Sequence, residues 1–398
     1  MASLGDVAEL IRGINFKPDD LVPFGTQGSV ACMRTKNVQE QLDQQDVWAV
    51  PSAFVRRPEQ MLSEGDVLVS SANSWNLVGK CSWVPKLPWP TSFGGFIATL
   101  RGKPKKVNDR YLYRWFSWGH TQALLRSFGQ KTTNISNLNF DRCMGLAIPL
   151  PPLPEQRRIA AILDQADALR AKRREALAQL DSLTQSIFIE MFGDPATNPK
   201  AWTVLRMSEL FATSPIFGTM TPGVVDRGSW LCLRVANIQD WQLDLSDQKF
   251  VDLTDSMTQR HAVQDGDLLM ARAIATQELL GKCIVARPGT QQWAFDSHLM
   301  RLRFRPDRAL PDFIRQMLRT SGGRLIFLKA SRKSTVQYNI NTKEIAGLQL
   351  PVAPIALQAR FVSRVHAVES LKTIHHAALV EMETLFASLQ HRAFRGEL

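Results

Sequence analysis

The sequence predicts a mixed α/β protein with two similar α/β domains and two long helices that pair as an antiparallel coiled coil. Over residues 149–194, apolar side chains recur at alternating steps of three and four, the heptad spacing of a long paired helix. The same pattern returns 202 residues later, where His375 falls opposite the polar interruption Arg173. The segments that precede the two helices also repeat in order. We therefore expect an internal duplication with pseudo-two-fold symmetry.

The duplication sets the expected domain boundaries. We predict a first α/β domain at residues 1–148, a Pro-rich lead-in and long helix at 149–192, a second α/β domain at 193–350 and a C-terminal helix at 351–398. Pro154 suits the first turn of the central helix, and Gly193 and Pro195 end it. At 1.5 Å per residue this helix would be about 55 Å long, which suits a spacer better than the core of a small domain.

Each long helix carries an apolar seam, meaning the row of side chains at heptad spacing along one face. These side chains are predicted to pair the two helices or to bind a partner. The central helix contributes Ile159, Ile162, Leu169, Leu180, Leu183 and Ile187, and the C-terminal helix contributes Phe361, Val368, Leu371, Met382, Leu385 and Leu389.

The order of elements repeats within the two domains. In the first, a turn at Gly65 leads into a buried strand at 67–70, a strand covers 96–101 and a helix follows near residue 108. The counterparts are a strand at 268–270, a strand around Leu302 and a helix at 311–318. The loops at 31–58 and 220–260 share no sequence that aligns. This pattern predicts two copies of one scaffold whose loops have diverged to read different targets.

Composition points to a polyanionic partner. The net charge is +11, and residues 1–150 and 193–350 each hold five more basic than acidic residues, whereas the helices are nearly neutral. The five cysteines are scattered without a CxxC pair, which argues against a disulfide framework or a zinc cluster and fits a reducing cytoplasm. Neither a signal peptide nor a run of about 18 apolar residues is visible, so we expect a cytoplasmic protein without a membrane anchor.

The usual catalytic signatures are missing. The segments Gly79-Lys80-Cys81 and Gly281-Lys282-Cys283 resemble only the end of a phosphate-binding loop, and lack its earlier glycine and its hydroxyl. The sequence has neither GxGxxG after a strand nor HExxH. We therefore predict a recognition protein, with no catalytic residue, no metal ligand and no cofactor in this chain.

Three loops in each domain concentrate the side chains that contact DNA. Asn and Gln can pair with adenine and Arg or Lys with guanine, while Ser, Thr and basic groups hold phosphates. In the second domain residues 301–308 form one of these loops. The predicted DNA-binding residues of the first domain are Ser71, Asn73, Trp75, Asn76, Lys80, Lys103, Lys105, Lys131, Thr132, Thr133 and Asn134. Those of the second are Arg272, Thr276, Gln277, Lys282, Arg332, Lys333, Ser334, Gln337, Tyr338 and Asn339.

The chain resembles the specificity subunits of type I restriction–modification systems. The residues that carry the resemblance are IPLPPLPEQRRIAAILDQAD at 148–167, MFGDP at 191–195 and QYNINTKEIAGLQLPVAP at 337–354. The resemblance covers the whole chain. It implies two target-recognition domains, each followed by a spacer helix, in a non-catalytic subunit that binds a bipartite, asymmetric double-stranded DNA site.

The resemblance also implies partners. Two modification subunits would methylate adenine with S-adenosylmethionine, and restriction subunits would translocate DNA with ATP and Mg²⁺. Two alternatives stay open. One is a specificity subunit of a related, non-translocating restriction–modification complex, and the other is a coiled-coil scaffold whose basic domains bind nucleic acid or protein.

Overall fold

The computed structural model describes residues 1–131, 135–225, 227–274, 276–277, 279–333 and 338–398. These residues form two compact units. Unit 1 comprises residues 1–174 and 377–398, and unit 2 comprises residues 175–376. Each unit thus combines one α/β block with one half of each long helix. The domain boundaries at 148, 192 and 350 stay a prediction, because this division follows contacts and cuts both helices near their middles.

Unit 1 is built on a four-stranded antiparallel sheet in the order β2-β9-β5-β7. Its central strand, residues 67–70, is buried along its whole length, as expected for a strand covered on both faces. The strands of unit 1 are β1 (Ala2–Ser3), β2 (Ala8–Arg12), β3 (Ser29–Met33), β4 (Trp48–Pro51), β5 (Val67–Ser70), β6 (Ala72–Asn73), β7 (Cys81–Trp83), β8 (Thr91–Phe93), β9 (Ile97–Gly102), β10 (Gln130–Lys131), β11 (Ser136–Asn137) and β12 (Ala147–Ile148).

Smaller sheets and helices complete unit 1. The smaller sheets are ordered β4-β3-β8, β10-β11-β6 and β1-β12. The helices are α1 (Leu4–Val7), α2 (Asp109–Phe116), α3 (Gly119–Ser127), α4 (Phe140–Met144) and the first half of α5 (Leu153–Phe192).

Unit 2 repeats this topology. Its four-stranded sheet is ordered β14-β23-β19-β21, and its smaller sheets are β18-β15-β22, β20-β25-β24, β13-β26 and β16-β17. The strands are β13 (Thr203–Arg206), β14 (Phe211–Phe217), β15 (Trp230–Leu233), β16 (Ile238–Gln239), β17 (Gln242–Leu243), β18 (Phe250–Val251), β19 (Leu268–Ala271), β20 (Ala273–Ile274), β21 (Cys283–Val285), β22 (Trp293–Phe295), β23 (Leu299–Phe304), β24 (Arg332–Lys333), β25 (Tyr338–Asn339) and β26 (Gln349–Val352).

The helices of unit 2 are α6 (Asp255–His261), α7 (Pro311–Arg319), α8 (Ser321–Ala330), α9 (Thr342–Gly347), the second half of α5 and the first half of α10 (Ile355–Arg395). The mixed α/β class, the internal repeat and the two long helices are therefore confirmed. The helices within the described residues are too polar or too short to cross a membrane.

An ion pair recurs inside both four-stranded sheets. Arg101 donates two hydrogen bonds to the buried Asp66 at 2.7 and 2.6 Å, and Arg303 does the same to Asp267 at 2.7 Å each. The prediction that residues 301–308 form a DNA-binding loop is therefore wrong in part. Residues 301–304 belong to β23, where the alternation of the strand turns Arg301 inward and the partner carboxylate holds Arg303.

The loops at 31–58 and 220–260 do align, contrary to the expectation from the sequence. Asn37 and Asn237 each accept a hydrogen bond from the backbone N–H of the arginine three residues earlier. Arg34 and Arg234 in turn bind Asp46 and Asp247. A shared QLDxxD segment, at 41–46 and 242–247, marks the correspondence. The surrounding residues differ enough to hide it, because only the residues that close the turn are constrained.

A buried glutamine joins each long helix to the helix that packs beside its start. Gln156 accepts a hydrogen bond from the Asn108 N–H at 2.8 Å, just before α2. Gln358 accepts one from the Leu310 N–H at 2.9 Å, just before α7. Backbone N–H groups at helix starts lack partners inside the helix, so these glutamines satisfy groups that burial would otherwise leave unpaired.

In unit 1, the two long helices run antiparallel. Arg158 bonds the Leu398 carbonyl at 2.7 Å, and Arg174 bonds Glu383 at 3.0 Å, so numbers rise along one helix as they fall along the other. The contact is also apolar, since Ile159 lies in the same buried cluster as Phe394.

In unit 2, the same antiparallel order holds. Phe188 packs against Phe361 with ring centroids 5.4 Å apart, and Asp181 meets Lys372 at 2.9 Å. The predicted antiparallel pairing is thus found within each unit.

At alternate positions of the predicted seam, the side chain that packs between the two helices belongs to the residue after the predicted one. Ile159, Phe361 and Val368 are buried, and Ile162, Leu180, Ile187, Met382 and Leu389 are half-buried. The prediction of helix pairing is wrong for four leucines, which are 44–57% exposed: Leu169, Leu183, Leu371 and Leu385.

The residue after each of these leucines fills the seam instead. These residues are Arg170, Thr184, Lys372 and Phe386. Three of the four are polar, so a count of apolar positions favoured the neighbouring leucines.

Buried charges at the seam are neutralised by carboxylates within hydrogen-bonding distance. Lys372, with a side chain only 3% exposed, meets Asp181 at 2.9 Å and Glu369 at 3.2 Å. Burial by itself raises the pKa of Asp181, but hydrogen bonds and charges from Lys372 and Arg319 outweigh it and hold that pKa below its ordinary value. The ion pair therefore stabilises the folded state above about pH 4, and this contribution is lost as the pH falls through the lowered pKa.

Candidate nucleic-acid interface

In both units a small three-stranded sheet extends one end of the four-stranded sheet. In unit 1, β5 continues into β6 through a single residue, and β6 pairs with β11, which pairs with β10. In unit 2, β19 continues into β20, which pairs with β25, and β25 pairs with β24. Two of the three loops predicted to bind DNA in each domain therefore meet at one place. We call this place the sheet end of each unit.

A close backbone approach shapes both sheet ends. A Cβ on Gly13 would lie 2.3 Å from the carbonyl oxygen of Gly94, and one on Gly218 would lie 2.1 Å from that of Phe295. Only glycine allows β2 and β14 to come this near to the turn before β9 and β23. The two sheet ends therefore share one backbone framework, on which different side chains are displayed.

The candidates at the sheet end of unit 1 are held by short local hydrogen bonds. Asn73 donates to Ser70 Oγ at 3.0 Å, and Asn76 accepts from Ser74 Oγ at 2.7 Å. Lys80 donates to Gln39, which comes from the loop beside the sheet. Trp75 is 51% exposed. These side chains stay candidates for contact with DNA.

Ser71 is different, since it is only 8% exposed. Its backbone N–H donates to the Phe96 carbonyl and its carbonyl accepts from the Leu138 N–H. The burial of Ser71 disfavours the predicted role in direct contact with DNA. The sequence placed it in a loop, whereas the structure uses it to join two sheets.

At the sheet end of unit 2, Arg272 lies over the Phe217 ring with its guanidinium carbon 4.1 Å from the ring centroid. Thr276 is exposed and Gln277 half-buried. Lys282 lies 3.5 Å from Asp240. Tyr338 and Asn339 form β25 and are half-buried.

A cavity of about 630 Å³ opens beside Arg272. Asn339, also predicted to bind DNA, lines it too, whereas the sequence did not single out Phe217, Thr219, His261 and His298. Burial, with the nearby charges of Arg260 and Arg301, lowers the pKa of His261, so this imidazole is neutral at pH 7. Burial also lowers the pKa of Arg272, against the opposing charge of Asp296. The cavity therefore combines partly buried positive charge with the neutral His261 imidazole.

Two predicted residues lie elsewhere. Lys103 follows β9, whose opposite end faces the sheet end, and its ammonium group binds the Gly5 carbonyl at 2.5 Å. Lys105 is exposed in the same turn. Because β9 spans six residues, these lysines are about 17–20 Å along the strand from the sheet end. The structure therefore separates this turn from the other two predicted loops of the first domain and disfavours it as part of the same DNA-contacting surface.

The remaining predicted residues stay predictions. Thr132, Thr133, Asn134, Ser334 and Gln337 lie outside the described residues. Lys131, Arg332 and Lys333 lie in strands β10 and β24, and nothing is described of their side chains.

The cysteine side chains are not suited to chemistry. All five are buried and free, and burial raises the pKa of each thiol to about 12. Since the thiolate is the reactive form and the metal-binding form, these residues act as small apolar side chains at pH 7.

The two repeated units, each with a polar sheet end and with paired helix halves, define a recognition protein with an internally duplicated α/β fold. Residues 1–179 match the sequence model of the type I restriction modification DNA specificity domain. Residues 1–179 thus carry the specificity domain of type I restriction–modification systems, and the whole chain aligns with type I restriction enzyme specificity subunits. This assignment confirms the prediction of a non-catalytic specificity subunit.

Similar proteins support the assignment along the whole chain. The type I restriction enzyme EcoKI specificity subunit of Escherichia coli (strain K12) is 26% identical, with 100% of this chain and 89% of that protein covered. The StySPI specificity subunit of Salmonella potsdam is 25% identical, covering 100% of this chain and 88% of that protein. The solved S subunit from M. genitalium has the same fold, with a TM-score of 0.56 at 13% identity over 99% of this chain and 95% of that one.

Proposed function

We propose that this chain reads a bipartite, asymmetric double-stranded DNA site and brings adenine-methyltransferase subunits to it. The observation that carries the proposal is the repetition of one sheet topology with different side chains at equivalent positions of the two sheet ends. A common framework gives the two units a common way of docking on DNA. Different polar side chains suit two unlike half-sites.

The proposed partners supply the chemistry. Two modification subunits bring S-adenosylmethionine, and restriction subunits bring ATP, Mg²⁺ and translocation, in a complex that works in the cytoplasm. The exposed leucines Leu169, Leu183, Leu371 and Leu385 remain candidates for contact with these subunits, because apolar side chains exposed at regular helical spacing suit a partner helix. The chain itself contributes DNA recognition.

The lengths of the two long helices are proposed to set the spacer between the half-sites. At 1.5 Å per residue the 40 residues of α5 span about 60 Å. Inserting one heptad into α5 and one into α10 at facing positions should change the spacer and leave both half-sites unchanged. A changed half-site would show that the helices do more than separate the two recognition surfaces.

The experiment that tests the proposal is a methylation map. The chain is expressed with the modification subunit from its own locus in a host that lacks adenine methylation, and modified adenines are read across the genome. We expect one split, asymmetric motif with a fixed gap, which disappears when this chain is omitted. Assembly of the complex without any chain-dependent motif would refute the proposal and favour a scaffold role.

The same expression system separates the two restriction–modification alternatives. Purified complex is incubated with unmethylated circular DNA carrying one copy of the motif, with and without the subunits encoded beside this chain. ATP-dependent movement along the DNA supports the translocating complex. Cleavage at the motif without such movement supports the related non-translocating complex.

A further inference from the structure

One backbone position is occupied by different residues in the two units. The residue between β5 and β6 is Ser71, and the residue between β19 and β20 is Arg272. Their backbone N–H groups donate to the carbonyls of Phe96 and His298, each at 3.0 Å. Their carbonyls accept from Leu138 at 2.8 Å and Ile340 at 3.0 Å, which follow β11 and β25. We call this position the junction site, and its surroundings are the same in both units.

The Arg272 side chain is held in place but has no hydrogen-bonding partner among the described residues. Its guanidinium carbon is 4.1 Å from the centroid of the Phe217 ring. Its Nε is buried without a partner, and no described residue hydrogen-bonds the rest of the guanidinium. Two other half-buried arginines, Arg303 and Arg101, are different, since each binds a carboxylate through two hydrogen bonds. A partly buried guanidinium that hydrogen-bonds no described residue is unfavourable in the free protein, even with the charge of Asp296 nearby, and a ligand with acceptor atoms would relieve the cost.

The position of the guanidinium limits what that ligand can be. Arg272 lines the 630 Å³ cavity, and Met220, which lines it too, is 83% exposed, so the cavity reaches the surface. Because the Phe217 ring covers one face of the guanidinium, the edge with its N–H donors is left for recognition. Two parallel donors match the O6 and N7 acceptors on the major-groove edge of guanine.

The comparison of the two units favours a DNA base over a DNA phosphate as the group that Arg272 contacts. Phosphate contacts fix how a protein docks, and they carry no sequence information, so two copies of one scaffold should share them. Base contacts should differ between copies that read different half-sites. The junction site differs, with a small buried hydroxyl in one unit and a stacked guanidinium in the other.

We propose that Arg272 reads one guanine in the half-site bound by unit 2. This inference rests on the proposed function, since it requires that the chain binds a defined DNA site. It attributes one difference between the two half-sites to the residue at the junction site.

The test uses the assembled complex with its modification subunits and DNA duplexes that carry the mapped motif. Each guanine of both half-sites is replaced in turn by 7-deazaguanine, which lacks the N7 acceptor. We expect wild type to lose affinity at one particular guanine by about 5- to 150-fold, the range for one bidentate base contact. In R272S, which introduces the residue of unit 1, the penalty at that guanine should vanish while the penalties at other guanines remain.

Two further variants make the result interpretable. R305S removes an equal charge from the turn after β23, at the end of that strand opposite to the sheet end, so the predicted loop at 301–308 lies outside the sheet end. Arg305 is exposed there and binds Asp307 at 2.9 Å, and R305S should keep the wild-type profile. R272M keeps a long side chain but has no hydrogen-bond donor, so it should lose the guanine penalty as R272S does. If R272S prevents assembly, R272M and the wild-type scan still decide the question.

Three outcomes would overturn the inference while leaving the proposed function intact. One is a wild-type complex that tolerates 7-deazaguanine at every guanine of its motif. Another is an R272S or R272M complex with the wild-type profile. The third is an R272S complex that loses affinity equally for all DNA sequences and shows a weaker salt dependence of binding, which would make Arg272 a phosphate contact. A wild-type complex without any motif would instead refute the proposed function itself.

Discussion

The two buried glutamines allow the same substitution to be compared in both units. Gln358 is fully buried, accepts from Leu310 N–H and donates to the carbonyls of Arg308 at 3.1 Å and Ala353 at 2.8 Å. Gln156 is 1% exposed and has two such backbone partners, the Asn108 N–H and the Pro151 carbonyl. Replacement by leucine keeps the volume but leaves three backbone groups unpaired in unit 2 and two in unit 1.

The expected magnitudes follow from these counts. Each buried polar group left without a partner costs about 1–3 kcal/mol, and the buried leucine recovers about 1–2 kcal/mol. We therefore expect Q358L to lower the free energy of unfolding by about 2–7 kcal/mol and Q156L by about 1–4 kcal/mol. The control Q179L makes the same substitution at an exposed position of α5 and should change the free energy of unfolding by less than about 0.5 kcal/mol.

Amide hydrogen exchange is the sharper assay, because it reports on each unit separately. The Leu310 amide should lose protection in Q358L while the Asn108 amide keeps it, and Q156L should give the reverse pattern. Urea unfolding of the full chain supplies the global free energy. Unchanged protection of both amides, with both variants as stable as Q179L, would refute the view that these glutamines satisfy the helix starts.

Three further predictions concern the helices and the basic turn. The D181A variant leaves Lys372 buried with only Glu369 as its partner and should cost about 1–3 kcal/mol at pH 7, measured by urea unfolding. The difference in stability from wild type should shrink below about pH 4, and a difference independent of pH would contradict the ion-pair account. Substitution of Phe361 by alanine should cost about 3–5 kcal/mol, whereas L371A should cost less than about 1 kcal/mol, and equal losses would place Leu371 in the seam. The K105A variant should leave the methylated motif and the salt dependence of DNA binding unchanged, and a reduced salt slope would return the basic turn to the DNA surface.

Much of the fold could be predicted from the sequence because the signals are local. The heptad spacing, the proline-rich lead-in and the 202-residue offset fix two long helices and a duplication before any tertiary contact is known. Strand β5 was also predictable, since a short apolar run after a turn glycine is typical of a strand buried on both faces.

The residues that fill the seam were harder to predict from the sequence. Heptad positions filled by Arg170, Thr184 and Lys372 do not look like a seam, because an apolar count ignores the hydrogen bonds and ion pairs that compensate their burial. Lys372 also depends on Asp181, which lies 191 residues away in the chain. The apolar pattern alone therefore favoured leucines that are exposed.

The sequence by itself determined the duplication, the long helices and the residue types suited to DNA, because these depend on spacing and chemistry along the chain. Only the tertiary structure decided which loops share a surface. Strand pairing joins the segments at 72–73 and 136–137 and separates Lys103 from both, since the direction of β9 places its two ends at opposite edges of the sheet. Strand pairing also brought Arg272 and Phe217 together across 55 residues of chain, through a β23 strand that contacts both β14 and β19.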